Sequence, residues 1–162
     1  MSERTKKDVH VVVLDARAEA RVRAEAKIEA EHLLLALARR PAWAAGRVLV
    51  DSGLDHERLR GVLDADVEHT LEVVGVAAGT IRIPDCTLPM AGEPHWGASA
   101  KTALRRASTI AKDHGDRRLT PTHILIGVLR AHEGTVPRAL AAAGVDPVAL
   151  AARAEATLSG AT

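Results

Sequence analysis

Apolar residues recur every three or four positions along most of this chain, which is the spacing of one face of an α-helix. In the first such segment valine and alanine mark one face, and charged residues occupy the other. Proline, glycine and short polar capping residues divide the pattern into separate helices. The pattern predicts an all-α fold of about eight helices, at 8–26, 30–40, 42–52, 56–69, 98–113, 121–131, 135–143 and 147–158.

The predicted helix ends carry the residues that stop and start helices. Gly53 and Gly144 each follow a short helix, where a glycine in the left-handed conformation is a common C-cap. Asp55 and Asp146 come two residues later and are suited to cap the next helix. Thr120 stands before Pro121, the typical pairing of an N-cap with the first helical position.

The helical pattern repeats at an offset of 91 residues without a gap, so that 31–60 aligns with 122–151. Identical residues pair at His32/His123, Leu34/Leu125, Arg39/Arg130, Arg47/Arg138, Leu49/Leu140, Gly53/Gly144, Asp55/Asp146 and Leu59/Leu150. Two copies of one helical unit bury their apolar faces against each other. We therefore predict a pseudo-twofold, duplicated four-helix repeat, with repeats at 1–69 and 96–162 packed as one domain and a joining segment at 70–95.

The joining segment differs from both repeats in composition. Its proline and glycine residues are typical of a loop. Two runs, 71–76 and 80–84, have the composition of short strands and flank Ala78-Gly79. A β-hairpin is therefore the alternative to an irregular loop in this segment.

Composition and charge restrict the classes of function. The 22 lysines and arginines are balanced by 21 acidic residues, which leaves no broad basic field for nucleic acid or membrane. A helical DNA-binding regulator is the alternative that this balance disfavours. The sequence has no secretory signal and no apolar run of transmembrane length, and single Cys86 fits a reducing compartment. We expect a cytoplasmic protein.

The sequence shows no pattern that supports catalysis or metal binding. There is no phosphate-loop motif, and Cys86 has no neighbouring base to activate it. The histidines are scattered without the spacing of a metal site. We expect no catalytic residue, no metal and no cofactor, and we expect His32 and His123 to hydrogen-bond a loop carbonyl and set helix packing.

The repeated motif resembles the Clp N-terminal domain, the double four-helix repeat at the front of ClpC- and ClpA-type Hsp100 unfoldases. The matching stretches are 29–37 with Gly53 and 120–128 with Gly144. The resemblance implies a non-catalytic module that binds protein substrates, adaptors, phosphoarginine or cyclic-peptide antibiotics, and that sequesters such ligands from full-length ClpC. Because the sequence lacks the ATPase motif, we expect a stand-alone ClpC-like protein, with the excised N-domain of a complete Clp ATPase as the alternative.

The same resemblance implies three ligand-binding residues. Glu31 matches the acidic position that helps hold the guanidinium of phosphoarginine, although a carboxylate there also compensates the helix dipole. Thr122 replaces it in the second copy, so we expect one weakened site. Trp96 and Lys101 match aromatic and basic positions beside the groove that binds cyclic peptides; core packing suits Trp96 equally well.

Overall fold

The chain folds into eight α-helices and one pair of very short β-strands within residues 2–73 and 92–159, which are the residues that the computed structural model describes. The helices are α1 (Ser2–Val22), α2 (Ala30–Ala38), α3 (Ala44–Asp51), α4 (His56–Val73), α5 (Ala98–Asp113), α6 (Pro121–Leu129), α7 (Thr135–Ala142) and α8 (Pro147–Ser159). The strands are β1 (Lys27–Ile28) and β2 (His95–Trp96), which pair in parallel. The predicted all-α class is confirmed.

The two repeats share most of their helix boundaries once the offset of 91 residues is applied, although α1 begins earlier than α5 and α4 ends later than α8. For example, α2 begins at Ala30 and α6 begins at Pro121. The turns agree as well, because Gly53 and Gly144 both have a φ of +73°. Only glycine adopts this left-handed conformation without steric cost. The duplication predicted from the sequence is therefore confirmed in the backbone.

The repeats interlock through their last helices. The fourth helix of each repeat packs on the third helix of the other, so that α4 contacts α7 and α8 contacts α3. Across the first of these contacts, Arg138 donates to buried Asp66 from Nε at 3.0 Å and from Nη2 at 2.8 Å. Each repeat needs the other to cover its apolar surface, and the two therefore form one hydrophobic core.

Small residues allow the helices to approach closely, which suits a chain without phenylalanine or tyrosine. On α5 the buried positions include Ala100, Ala103 and Ala107. On α6, a Cβ added to Gly127 would lie 2.4 Å from the Ala103 carbonyl oxygen, well inside van der Waals contact. The absence of a side chain at Gly127 is therefore what lets α6 rest directly on α5.

Several predicted boundaries are wrong. Helix α1 begins at Ser2 and not at residue 8. The sequence did not predict this start because the polar residues before Val9 show no helical periodicity. It ends at Val22 because Ala24, with a φ of +54°, turns the chain toward β1. Helix α4 continues to Val73, so the first three residues of the predicted strand 71–76 are helical. The rest of that strand, and the predicted strand 80–84, lie outside the described residues.

Candidate functional site

A groove of about 550 Å³ lies where the two repeats meet. Its walls come from the first turn of α2, the N-terminal half of α5 and the loop that leads into α7. Because the first residues of three helices line it, their positive dipole ends lie near the acidic side chains of the groove. The polar or charged lining residues are Glu29, Glu31, Ser99, Thr102, Arg106, Glu133 and Thr135.

Glu29 and Ser99 cap each other's helices at one edge of this groove. The Glu29 carboxylate accepts from the Ser99 backbone N–H at 3.1 Å and from its hydroxyl at 2.5 Å. In return, the Ser99 Oγ accepts from the Ala30 N–H at 2.8 Å. Gly97 makes room for this exchange, since a Cβ there would lie 2.0 Å from the Glu29 carboxylate. The exchange joins the start of α2 to the start of α5 across the repeats.

Glu31 is a half-buried carboxylate in the wall of the groove. Burial raises the pKa of the Glu31 carboxyl, whereas a hydrogen bond from its own backbone N–H lowers it. The nearby charges of Glu25 and Glu29 raise this pKa further. Within the described ranges, no lysine or arginine lies at ion-pair distance from Glu31. Arg23 and Arg138 interact with this carboxyl only at longer range, where the charge of Arg23 lowers its pKa. The groove therefore holds a partly desolvated carboxylate without a direct ion-pair partner.

Arg106 lines the same groove from α5 and is also half-buried. Its guanidinium forms no ion pair and no side-chain hydrogen bond with the rest of the described chain. Thus an unpaired guanidinium and the unpaired carboxylate of Glu31 share one groove. This arrangement suits a ligand that carries both a cationic and an anionic group.

Different side chains, two of them larger, occupy the related positions of the first repeat. Where the second repeat has Arg106, Ala131 and Gly134, the first has Asp15, Arg40 and Trp43 at the same offset. Two nitrogens of Arg40 donate to Asp15 at 2.9 and 2.7 Å, and its guanidinium lies 5.7 Å from the Trp43 ring centroid. The charges at these positions are therefore already paired.

The motif histidines, His32 and His123, cap the N-termini of the two central helices, α2 and α6. The Nδ1 atom of His32 accepts from the Glu29 backbone N–H at 2.9 Å. The Nδ1 atom of His123 accepts from the Thr120 backbone N–H at 3.1 Å. The expectation of a bond to a loop carbonyl was therefore wrong, because the ring nitrogen is the acceptor and satisfies an N–H at the helix start.

The other ring nitrogen of each histidine faces a carboxylate. His32 Nε2 lies 3.5 Å from Glu25, and His123 Nε2 lies 3.1 Å from Asp116. Burial lowers the pKa of both histidines, and the facing carboxylates oppose that shift. Glu25 and Asp116 are related by the repeat offset, and extending the alignment upstream of Glu31 would have found this pair.

Trp96 and Lys101 are not among the residues that line the groove. Trp96 is half-buried, packs against the core and pairs with Ile28 in the short parallel ladder. Lys101 is exposed on the first turn of α5. A ligand-binding role for these two residues stays a prediction, and Cys86 lies outside the described residues.

The described helices include none with the length and apolar character needed to cross a membrane. In the same ranges, no group of three histidine, cysteine, aspartate or glutamate side chains is arranged to hold a metal ion.

Comparison with known proteins agrees with the fold and the repeated motif. The model of the Clp repeat N-terminal domain family matches residues 4–83 and 97–161. The chain therefore belongs to the Clp repeat N-terminal domain family. Domains of this family are non-catalytic interaction modules that bind substrates and adaptors in the Clp system.

A solved structure shows the same fold. The chain is similar to the N-terminal domain of the caseinolytic protease associated chaperone ClpD from Arabidopsis thaliana, with a TM-score of 0.67 and 17% identity. The similarity covers 97% of this chain and 96% of that one. At this identity the likeness concerns the fold alone. No curated protein matches the chain in sequence.

Proposed function

We propose that this domain recognises marked protein substrates of the Clp system by holding a phosphoarginine side chain in the groove between the repeats. The observation that carries the proposal is the presence of unpaired Glu31 and unpaired Arg106 in one groove. Glu31 would accept hydrogen bonds from the ligand guanidinium, and Arg106 would bind the phosphoryl oxygens. Both interactions would give an ion-pair partner to a side chain that has none within the described residues.

The proposal includes a single site for each chain. Thr122 stands where Glu31 stands in the first repeat, and it is buried and carries no charge. The Arg106 position is taken in the first repeat by Asp15, which is already paired with Arg40. The related surface therefore offers the ligand no carboxylate at the Glu31 position, and its one guanidinium, that of Arg40, is already paired.

In the cell, we place this recognition in the cytoplasm. A module of this kind binds substrates or adaptors without turnover. Where it acts apart from an ATPase, it would compete with full-length ClpC-type unfoldases for the same ligands.

Calorimetric titration with free phosphoarginine tests the proposal. We expect one site per chain, with weaker binding of unmodified arginine, which lacks the phosphoryl group that Arg106 would bind. Glu31→Gln and Arg106→Gln should each weaken binding by roughly tenfold or more, the cost of losing one charged pair in a partly desolvated site. Glu57→Gln is the matched control, since Glu57 is an exposed carboxylate in the first turn of α4. Binding that is unaffected by both groove variants would overturn the proposal.

Cyclic-peptide binding is a separate proposal that rests on Trp96 and Lys101. Its support is that the Trp96 ring is only half-buried and that Lys101 is exposed one turn into α5. We expect a cyclic peptide that binds ClpC to lose affinity for both Trp96→Ala and Lys101→Ala. Equal affinity for the wild type and Lys101→Ala would exclude a contribution from this lysine, whatever Trp96→Ala does to folding.

A further inference from the structure

A second groove, of about 890 Å³, continues from the first groove along α5. It is bounded by α5, the end of α6 and the start of α8. Thr102, Arg106, Ala131 and Pro137 line both grooves. The two grooves therefore meet at Arg106 and form one continuous channel on the surface of the second repeat.

The second groove has an apolar floor. Ile110, Leu129 and Ala151 contribute buried surface at its base. Val148, at the start of α8, leaves 74% of its area exposed beside them. An exposed valine at the edge of an apolar groove is the kind of surface that a protein segment covers on binding.

The rim of the second groove is predominantly basic. The side chains of Arg105 and Arg106 form no ion pair with the rest of the described chain. Arg130 is already neutralised, because its Nη2 lies 2.6 Å from Glu155. Asp113 adds an acidic group to this rim. Apart from Arg106, which both grooves share, the second groove therefore offers Arg105 as a cation without an ion pair, whereas Glu29, Glu31 and Glu133 of the first groove form no ion pair within the described residues.

The first repeat does not carry this apolar floor. Glu19 takes the place of Ile110 at the repeat offset, and it is 3% exposed. Its carboxylate binds Arg39 Nη1 at 3.1 Å and His56 Nε2 at 2.7 Å. A hydrogen-bonded network of polar side chains thus occupies the related place, so the open apolar groove is a feature of the second repeat.

We propose that one extended peptide runs through both grooves. Its phosphoarginine anchor lies beside Glu31, and an adjoining segment of apolar and acidic residues covers Val148 and approaches Arg105. The order of unpaired charges along the channel supports this arrangement, because the ligand then places its cationic guanidinium beside Glu31 and its anionic groups, the phosphoryl group and the acidic side chains, beside Arg106 and Arg105. The inference rests on the proposed function, and it adds a sequence preference next to the anchor.

Fluorescence anisotropy with labelled synthetic peptides tests this inference. The first peptide carries phosphoarginine between glycine and serine residues. The second adds a tail of alternating leucine and glutamate, made once on each side of the anchor. The third is the tail without phosphoarginine. We expect one tailed peptide to bind roughly tenfold or more tightly than the anchor alone, because the tail covers apolar surface and pairs Arg105.

Variants of the second groove test whether the higher affinity of the tailed peptide comes from contacts in that groove. Arg105→Glu and Val148→Asp should each remove most of it and leave the affinity of the anchor-only peptide unchanged. Arg60→Glu and Val22→Asp are matched controls, since both residues are exposed and lie outside the two grooves. Val148→Asp is expected to fold, because the valine is mostly exposed in the wild type.

The possible outcomes separate the inference from the proposed function. Equal affinities for tailed and anchor-only peptides, or a gain that survives both groove variants, would overturn the inference alone. The proposed function would be overturned if the tail alone bound as tightly as the tailed phosphoarginine peptide and if Glu31→Gln did not change the affinity of either peptide. No binding of any peptide would overturn both.

Discussion

His32 and His123 lie at the same position of the two repeats, and the Nδ1 atom of each accepts a hydrogen bond from the backbone N–H three residues earlier. Both side chains are completely buried. Each ring therefore satisfies a donor at the start of a central helix that water does not reach. The acceptor role means that the neutral ring carries its proton on Nε2, toward the facing carboxylate.

Replacing either histidine by alanine should destabilise the domain. His32→Ala or His123→Ala leaves a backbone N–H without its partner and opens a cavity, which costs about 2–4 kcal/mol of unfolding free energy. The asparagine variants should lose less, since an amide oxygen can accept the same bond. Urea denaturation followed by circular dichroism measures both effects.

The control for this prediction is His132→Ala, because His132 is exposed. Its unfolding free energy should change by no more than about 0.5 kcal/mol. A loss in His32→Ala that is as small as in the control would show that the ring does not stabilise the helix start.

The domain should lose stability as the pH falls below the ordinary histidine pKa of 6.5. Burial lowers the pKa of His32 and of His123 in the fold, so the unfolded chain takes up protons first. Proton uptake by the unfolded state lowers the unfolding free energy, by at most about 1.4 kcal/mol per pH unit for each histidine. This stability is present above pH 6.5 and is lost as the pH falls toward the folded pKa values.

Thermal unfolding between pH 7.5 and pH 5 measures this dependence. The slope of stability against pH should be smaller in His32→Asn and in His123→Asn than in the wild type, since each variant lacks one titrating ring. An unchanged slope in both variants would assign the pH dependence to other groups.

Much of the fold was predictable because the chain repeats its own pattern. The helix caps at Gly53 and Gly144 and the fixed offset place most helices to within a few residues. The ends of α1 were not predictable, since its first residues are polar and the turn at Ala24 uses a residue that normally favours helix. The β1–β2 pair is too short for alternation to reveal it, because each strand has two residues.

The candidate site was only partly predictable. Glu31 was identified through the family motif, and it does line a groove. Arg106 has no special sequence context, and its importance follows from tertiary packing that leaves it unpaired in the groove that Glu31 also lines. The exchange between Glu29 and Ser99 joins residues about 70 positions apart, which no local pattern indicates.

Neutralising Glu31 should stabilise the domain and weaken its function. Burial raises the pKa of the Glu31 carboxyl, so the charged form is unfavourable in the fold. At neutral pH, Glu31→Gln should therefore raise the unfolding free energy by on the order of 0.5–1 kcal/mol. The gain should shrink at acidic pH, where the wild-type carboxyl is also neutral.

Thermal denaturation and phosphoarginine titration on the same sample check the two effects together. The control is again Glu57→Gln, which should change neither quantity. A Glu31→Gln variant that is less stable and also binds less would indicate a structural role in place of ligand binding.

Ala24→Gly should stabilise the turn between α1 and β1. Ala24 has a φ of +54°, whereas the related position in the second repeat is Gly115 with a φ of +74°. A left-handed conformation costs a residue with a Cβ about 1–2 kcal/mol, and glycine avoids this cost. Part of the gain is offset because glycine has more conformational entropy in the unfolded state. We expect a net gain of about 0.5–1 kcal/mol by urea denaturation, and a loss would contradict the assigned backbone conformation.

The central claim is that the duplicated fold carries one phosphoarginine site per chain. Titration of the isotopically labelled domain with phosphoarginine, followed by backbone amide NMR shifts, tests it most directly. We predict saturable shifts at the starts of α2, α5 and α7, around Glu31 and Arg106, with one ligand per chain. Saturable shifts of equal size around Thr122 and Asp15, with two ligands per chain, would contradict the claim.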